Sequence, residues 1–182
     1  MTELSLHILD IVQNSITAQA SLISIIIDED IKNDKYIISI VDNGTGMDSE
    51  TLNKVTDPFY TSRTTRKVGV GISLFKQNAE QAGGSFNIES TPGAGTSVTA
   101  IFGHSNIDRP ILGDIAGTMT LLIGANPQIR FIYEHKTPVS DFQFDTEEVK
   151  SELEGVPINH PDIIKILKEL IEENLKLIEA GN

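Results

Sequence analysis

The first part of the chain combines helical and strand-like hydrophobic patterns. Residues 4–18 carry apolar side chains at helical spacing, and the isoleucine-rich runs 21–28 and 35–42 predict two strands. The elements predicted after them are a helix over 48–55, an irregular polar stretch over 56–68, a helix over 71–82, and strands over 85–90 and 96–102. Strands and helices do not alternate regularly, which favours an α+β fold, a mixed or antiparallel sheet covered by helices.

The pattern changes after Gly103. The elements predicted there are a helix over 115–125, a hairpin of strands over 129–136 and 140–145, and helices over 146–154 and 161–180. We therefore expect two parts, a domain over 1–103 and an α/β extension over 104–182. The last helix carries one apolar stripe, formed by Ile164, Leu167, Ile171, Leu175 and Ile178. Two interpretations stay open: the stripe packs onto the rest of the chain, or it is a partner or homodimer surface.

Composition excludes several classes of protein. The 182 residues have a formal net charge of −12, which argues against nucleic-acid binding and against binding to an anionic membrane. No apolar run approaches the ~20 residues that a membrane span needs, and the acidic, amphipathic start does not resemble a secretory leader. Cysteine is absent, so disulfides, thiolate metal sites and a cysteine nucleophile are excluded. We expect a cytoplasmic protein.

The first helix carries a polar set of residues on one face. Asp10, Asn14 and Ala18 follow each other at intervals of four residues. An amide oxygen such as that of Asn14 is a suitable ligand for Mg²⁺, and a carboxylate one turn away is placed to orient or deprotonate a water molecule. The alternative is an ordinary solvated face of an amphipathic helix.

The second predicted strand ends in Asp42, followed by Asn-Gly44-Thr-Gly46-Met47. Asn-Gly after a strand is typical of a hairpin, but the residues that follow it begin a helix instead. A buried carboxylate at this strand end would accept a hydrogen bond from the exocyclic amine of adenine, and the glycines would let a flat ring approach the backbone. Guanine presents a carbonyl at that position, a mismatch that can cost ~10⁴-fold in affinity.

A basic, glycine-containing tract precedes the helix over 71–82. Residues 58–79 contain no acid, although the chain as a whole is strongly acidic, and the basic tract within them runs into Gly69-Val70-Gly71-Ile72 at the helix start. Backbone amides at a helix amino terminus bind phosphate oxygens. The alternative is a flexible basic loop. A further glycine-rich segment, Pro92-Gly-Ala-Gly95-Thr96, is explained sufficiently as a hairpin loop.

Taken together, these motifs resemble those of the GHKL superfamily, which includes DNA gyrase, heat-shock chaperone ATPases, histidine kinases and MutL. DIVQNSITAQA resembles its asparagine box, and DNGTGM, DPFYTSRTT, GVGIS and GAGTSV resemble its glycine and lid motifs. The resemblance covers about residues 1–103. It implies a Bergerat-type two-layer α/β sandwich that holds Mg-ATP between loops at the sheet end and a flexible lid.

The resemblance also implies a role for each matching residue. Asn14 would coordinate Mg²⁺, Asp42 would bind the adenine amine, and Thr96 would support the adenine side through water. Asp10 falls where hydrolytic members place a glutamate base, which is one methylene longer. The remaining residues expected to contact the nucleotide are Ala18, Gly44, Gly46, Met47, Phe59, Thr61, Ser62, Arg63, Lys67, Gly69, Val70, Gly71 and Ile72.

Three functions are compatible with such a site. The first is a kinase that transfers the γ-phosphate to a separate acceptor or signalling protein. The second is a conformational switch with slow ATP hydrolysis, and the third is a nucleotide sensor without catalysis. The full chain also resembles small stand-alone ATP-binding proteins of anaerobic bacteria, often labelled sensor histidine kinases, some of which are encoded beside iron-iron hydrogenases. A histidine kinase carries a dimerising helical hairpin with its phosphoacceptor histidine before this asparagine, whereas only 13 residues precede Asn14 here, so we expect a stand-alone protein without an acceptor domain of its own. Of the three functions we favour the kinase.

Overall fold

A computed structural model describes residues 3–56 and 70–181, with Val70 described by its backbone alone, and shows one mixed six-stranded sheet. The strands are β1 (Leu22–Asp30), β2 (Lys35–Asp42), β3 (Ser85–Thr91), β4 (Gly95–Gly103), β5 (Arg130–Lys136) and β6 (Asp141–Asp145). The helices are α1 (Leu4–Thr17), α2 (Ser49–Val55), α3 (Val70–Gln81), α4 (Ile115–Ala125), α5 (Thr146–Glu152) and α6 (Pro161–Leu177). The predicted α+β class is confirmed.

The core lies between one face of the sheet and the helices α1, α3 and α4. In β1 the alternate residues Ile23, Ile25 and Ile27 are fully buried, whereas their neighbours in the strand are only half-buried. This period of two places one side of each strand against the helices. The helices contribute side chains such as Ile8 and Phe75, both fully buried, to the same core. The sequence pattern therefore fixes which side of the sheet the helices cover.

The strand order β3-β4-β2-β1-β5-β6 joins the two predicted parts of the chain. β1 pairs with β2 in antiparallel orientation and with β5 in parallel orientation, so that Ile23 lies opposite Phe131. The hairpin of the extension thus continues the sheet of the first part. The division at residue 103 stays a prediction about sequence units, while the packing is continuous across it.

The apolar stripe of α6 faces inward. Leu167 and Ile171 are buried in the common core, and the side chain of Ile164 lies close to Gly124 of α4. Of the two interpretations of this stripe, packing within the chain is therefore the one that the structure supports. None of the described helices is both long enough and apolar enough to cross a lipid bilayer.

Candidate functional site

A cavity of about 260 Å³ opens between α1, α2 and the ends of β2 and β4. Its walls are mainly apolar, and its polar groups come from a few side chains. The lining residues are Ile11, Asn14, Ser15, Thr17, Ala18, Ile40, Asp42, Thr45, Gly46, Met47, Thr51, Val55, Ile72, Thr96 and Val98. Among the residues predicted for the site, the structure brings Asn14, Ala18, Asp42, Gly46, Met47, Ile72 and Thr96 together here.

Asp42 is the buried acceptor of this cavity. Its side chain is held in place because the Ser15 hydroxyl donates to Oδ2 at 2.6 Å and the Gly44 amide donates to Oδ1 at 2.8 Å. Each carboxylate oxygen accepts about two hydrogen bonds, so both retain capacity for a ligand. The residue is only 8% exposed, and a buried carboxylate is costly unless donors surround it. Asp42 therefore suits a ligand that brings an N–H donor.

The loop after β2 packs closely against other parts of the backbone. Gly46 has φ +67°, and a Cβ atom on it would lie 2.1 Å from the carbonyl oxygen of Thr91. A Cβ atom on Gly44 would lie 2.7 Å from the carbonyl oxygen of Ala18. The amide of Thr45 donates to that same Ala18 carbonyl at 2.8 Å. Both glycines are therefore required by the protein's own packing, whatever space they also leave for a ligand.

The loop does not turn back into a second strand. After it, Asp48 caps α2 by accepting a hydrogen bond from the amide of Thr51 at 2.8 Å. This observation agrees with the expectation that the Asn-Gly pair here does not form a two-residue hairpin. α2 supplies Thr51 and Val55 to one wall of the cavity.

Asp10 lies beside the cavity instead of lining it. The residue is exposed, and a Cβ atom on Gly71 would lie 2.9 Å from the Cβ atom of Asp10 and 3.2 Å from its Oδ2. The carboxylate is thus next to the first turn of α3, where backbone amides have no helical acceptor. Asn14, one turn further along α1, lines the cavity itself. The predicted carboxylate and amide therefore occupy neighbouring positions at the rim.

Part of the predicted site belongs to the sequence between α2 and α3. Phe59, Thr61, Ser62, Arg63, Lys67 and Gly69 lie outside the described residues, and so does the lid that the resemblance implies. α3 begins at Val70, and Gly71 and Ile72 follow it. The side chain of Ile72 is buried and lines the cavity.

Several lining residues were not predicted from the sequence. Two simple spacings would have found half of them: Ile11 and Ser15 share the helix face of Ala18, and Ile40 and Val98 lie two strand positions from Asp42 and Thr96. Thr17, three residues after Asn14 on the same helix, and Thr45, between Gly44 and Gly46, also had a local signal; Thr51 and Val55 had none, because the packing of α2 brings them to the cavity.

The donor set suits a nucleotide better than a protein-bound metal centre. Among residues 3–56 and 70–181, no group of three or more His, Asp or Glu side chains is arranged to hold a metal ion. A single amide ligand such as Asn14 suits Mg²⁺ that is held mainly by phosphate oxygens. Apolar walls with one buried acceptor suit a flat heterocycle that carries an amine.

Comparison with known proteins points to the same chemistry. The model of the family described as histidine kinase-, DNA gyrase B-, and HSP90-like ATPase matches residues 2–105. A protein of Shewanella frigidimarina named as a predicted sensor is 37% identical over 103 residues, which cover 56% of this chain and 16% of that protein. Sensor histidine kinase YxdK of Bacillus subtilis is 33% identical over 73 residues, 38% of this chain and 22% of the kinase. The chain thus matches less than a quarter of either relative.

A solved structure supports the fold. The N-terminal domain of a DNA repair protein superposes with a TM-score of 0.50 at 18% identity, covering 80% of this chain and 52% of that one. At this identity the likeness concerns the fold alone. It agrees with the mixed sheet and helical layer described above.

Proposed function

This chain belongs to the family of histidine kinase-, DNA gyrase B- and HSP90-like ATPases, and we propose that it binds Mg-ATP and transfers the γ-phosphate to a separate protein. The observation that carries the nucleotide assignment is one cavity that presents both the carboxylate of Asp42 and the amide of Asn14. Bound ATP would supply the phosphoryl group, and Mg²⁺ would neutralise charge on its phosphates.

The chain's own residues divide the work of binding. Asp42 accepts a hydrogen bond from the adenine amine at the buried end of the cavity, and Ile40 and Val98 provide apolar surface for the ring. Asn14 would hold Mg²⁺ through its amide oxygen. Gly71 and the first turn of α3 offer backbone amides to phosphate oxygens. Ser15 contributes indirectly, because its hydroxyl fixes the orientation of the Asp42 carboxylate.

The positions of the four histidines support a separate acceptor, because none of them lines the cavity. His7 is 1% exposed, stacks on Phe75 and contacts the Asn78 amide at 2.7 Å; burial lowers its pKa. His135 is fully buried and contacts the carboxylate of Glu29, and the largely buried side chain of His104 contacts the same carboxylate. His160 caps α6. A phosphoacceptor histidine must reach the γ-phosphate, so we assign that role to another protein.

A second candidate is slow hydrolysis that drives a conformational switch. The observation that favours it is the carboxylate of Asp10 beside Gly71, at the helix end where phosphates would bind. In this role Asp10 would take a proton from an attacking water molecule. Aspartate reaches one methylene less far than glutamate, which favours slow turnover.

Labelled γ-phosphate separates the two candidates. The purified protein is incubated with Mg-ATP alone and then with a lysate of its own cell. The kinase predicts label on a protein in the lysate that is lost in the Asp42→Asn variant. Hydrolysis predicts release of free phosphate without the lysate, abolished by Asp10→Asn. Nucleotide binding with neither outcome would leave only the sensor role.

A further inference from the structure

A hydroxyl on β3 connects two parts of the proposed adenine site. The Ser90 Oγ lies 2.8 Å from the Met47 amide nitrogen, 2.8 Å from the Thr96 hydroxyl and 3.0 Å from the Gly95 carbonyl oxygen. Met47 and Thr96 both line the cavity, whereas Ser90 does not. Ser90 therefore holds two lining residues without lining the cavity itself.

The chemistry of these neighbours fixes the direction of each hydrogen bond. A serine hydroxyl has one hydrogen to donate and two lone pairs that accept. The Met47 amide can only donate and the Gly95 carbonyl can only accept. Ser90 therefore accepts a hydrogen bond from the Met47 amide and donates its own hydrogen to the Gly95 carbonyl oxygen. The one remaining position on Ser90 is a lone pair, and the Thr96 hydroxyl must donate to it.

This arrangement determines what Thr96 presents to the cavity. Its only hydroxyl hydrogen is directed at Ser90, so lone pairs remain on the cavity side. Thr96 lies directly opposite Asp42 in the β2–β4 ladder, and both residues line the cavity. This corner of the site therefore contains two neighbouring acceptors, a carboxylate and a hydroxyl oxygen.

We propose that Ser90 is a positioning residue for nucleotide specificity, which holds Thr96 as an acceptor and fixes the Met47 backbone at the same time. The inference rests on the proposed function, since it assumes that an adenine nucleotide occupies the cavity. Two acceptors favour a ligand edge with an amine, whose hydrogens reach them directly or through one water molecule. They disfavour a carbonyl at the same place, as in inosine or guanine.

Removal of the Ser90 hydroxyl should weaken this selection. In Ser90→Ala the Thr96 hydroxyl loses its acceptor and can turn its hydrogen toward the cavity or toward Asp42. A hydrogen in the cavity opposes the adenine amine and is a partner for a carbonyl. The variant should therefore lose affinity for ATP and lose little or none for inosine triphosphate, which carries a carbonyl in place of the amine.

The test is calorimetric affinity for Mg-ATP and Mg-ITP in four proteins: wild type, Ser90→Ala, Ser90→Thr and Ser97→Ala. We expect the ATP-to-ITP affinity ratio to fall about tenfold in Ser90→Ala, the loss of roughly one well-placed hydrogen bond. Ser90→Thr keeps a hydroxyl and should restore the ratio. Ser97 directly follows Thr96 in β4, so its side chain lies on the other face of the sheet, and Ser97→Ala should match wild type.

Two results would overturn the role of Ser90. A Ser90→Ala variant that weakens ATP and ITP by the same factor would make Ser90 a general packing residue, and one that changes neither would make it irrelevant. The wild-type protein tests the premise separately. If it binds neither nucleotide, the proposed function fails and the specificity role fails with it; if it binds ATP, only the ratio decides.

Discussion

Two buried carboxylates on adjacent strands have opposite surroundings. Asp42, at the end of β2, accepts from Ser15 and Gly44 and still faces a cavity. Glu29, near the end of β1 and at the other end of the sheet, is 2% exposed and is surrounded by donors. These donors are the His135 Nε2 at 2.7 Å, the Gly181 amide at 2.8 Å and the His104 Nε2 at 3.4 Å.

The difference separates a binding group from a structural one. The partners of Glu29 come from the segment after β4, from β5 and from the residues after α6, so Glu29 holds distant parts of the chain together. The partners of Asp42 come from α1 and its own loop, and they leave capacity for a ligand. Burial alone does not mark a functional carboxylate: Asp42 keeps an open position on both of its oxygens, whereas Oε1 of Glu29 is filled by His135 and Gly181.

The largest effect should follow from Asp42→Asn. The amide places a donor where the adenine amine also donates, so we expect a loss of ATP affinity of ~10³-fold or more. Stability should change little, because the Ser15 hydroxyl can accept as well as donate. Calorimetry with Mg-ATP and a melting curve measure both. Unchanged ATP affinity in a folded variant would remove Asp42 from the binding site.

Glu29→Ala should produce the converse result. It leaves the donors around Glu29 unpaired in the core, and we expect the free energy of unfolding to fall by about 3–5 kcal/mol. ATP affinity of the folded variant should match wild type. The control is Asp28→Ala, which removes the neighbouring carboxylate on the half-buried side of β1 and should cost less than about 1 kcal/mol. A loss of ATP affinity alone in Glu29→Ala would contradict the division of roles.

Ile171→Glu tests the packing of α6. Ile171 is fully buried, so a carboxylate there should lower the free energy of unfolding by about 3 kcal/mol and leave the oligomeric state unchanged. Ile166→Glu is the matched control on the same helix, because Ile166 is 57% exposed and its replacement should cost about 0.5 kcal/mol or less. Light scattering and chemical denaturation of the two variants supply the data. Altered assembly with unchanged stability in Ile171→Glu would restore the interface interpretation.

Asn14→Ala should weaken nucleotide binding about tenfold in Mg²⁺ and much less in EDTA, because its amide oxygen is proposed to contact the metal and not the base. Gln13→Ala, one residue earlier and exposed, is the control. Titrations of both variants in the two buffers measure the difference. An equal loss with and without the metal would make Asn14 a structural residue.

The smallest effect concerns pH. Burial alone would raise the pKa of Glu29, but the hydrogen bonds from His135 and Gly181 outweigh it and hold the pKa below its ordinary value of 4.5. A lowered pKa in the folded state stabilises the protein above pH 4.5, and this contribution disappears as the pH falls through the lower value. The stability difference between wild type and Glu29→Gln should therefore shrink on going from about pH 6 to about pH 3. A constant difference over that range would mean that Glu29 does not titrate there.

The sequence predicts local features far better than distant contacts. The strand over 35–42 has the predicted bounds, and Asp42 at its end is followed by a helix as expected. Periodicity also predicted the apolar stripe of α6, but not whether it faces the core or a partner. Glu29 gave no signal at all, since its partner Gly181 lies 152 residues further along the chain. Ser90 belongs to the same class, because a cross-strand hydroxyl looks like any other strand residue before the ladder is known.

The most direct test of the account is the affinity of the wild-type protein for Mg-ATP and Mg-GTP, measured side by side by calorimetry. An acceptor-only corner made by Asp42 and Thr96 predicts that ATP binds and that GTP binds at least ~10³-fold more weakly. Equal affinities would show that the exocyclic amine is not recognised at Asp42, and would contradict the account.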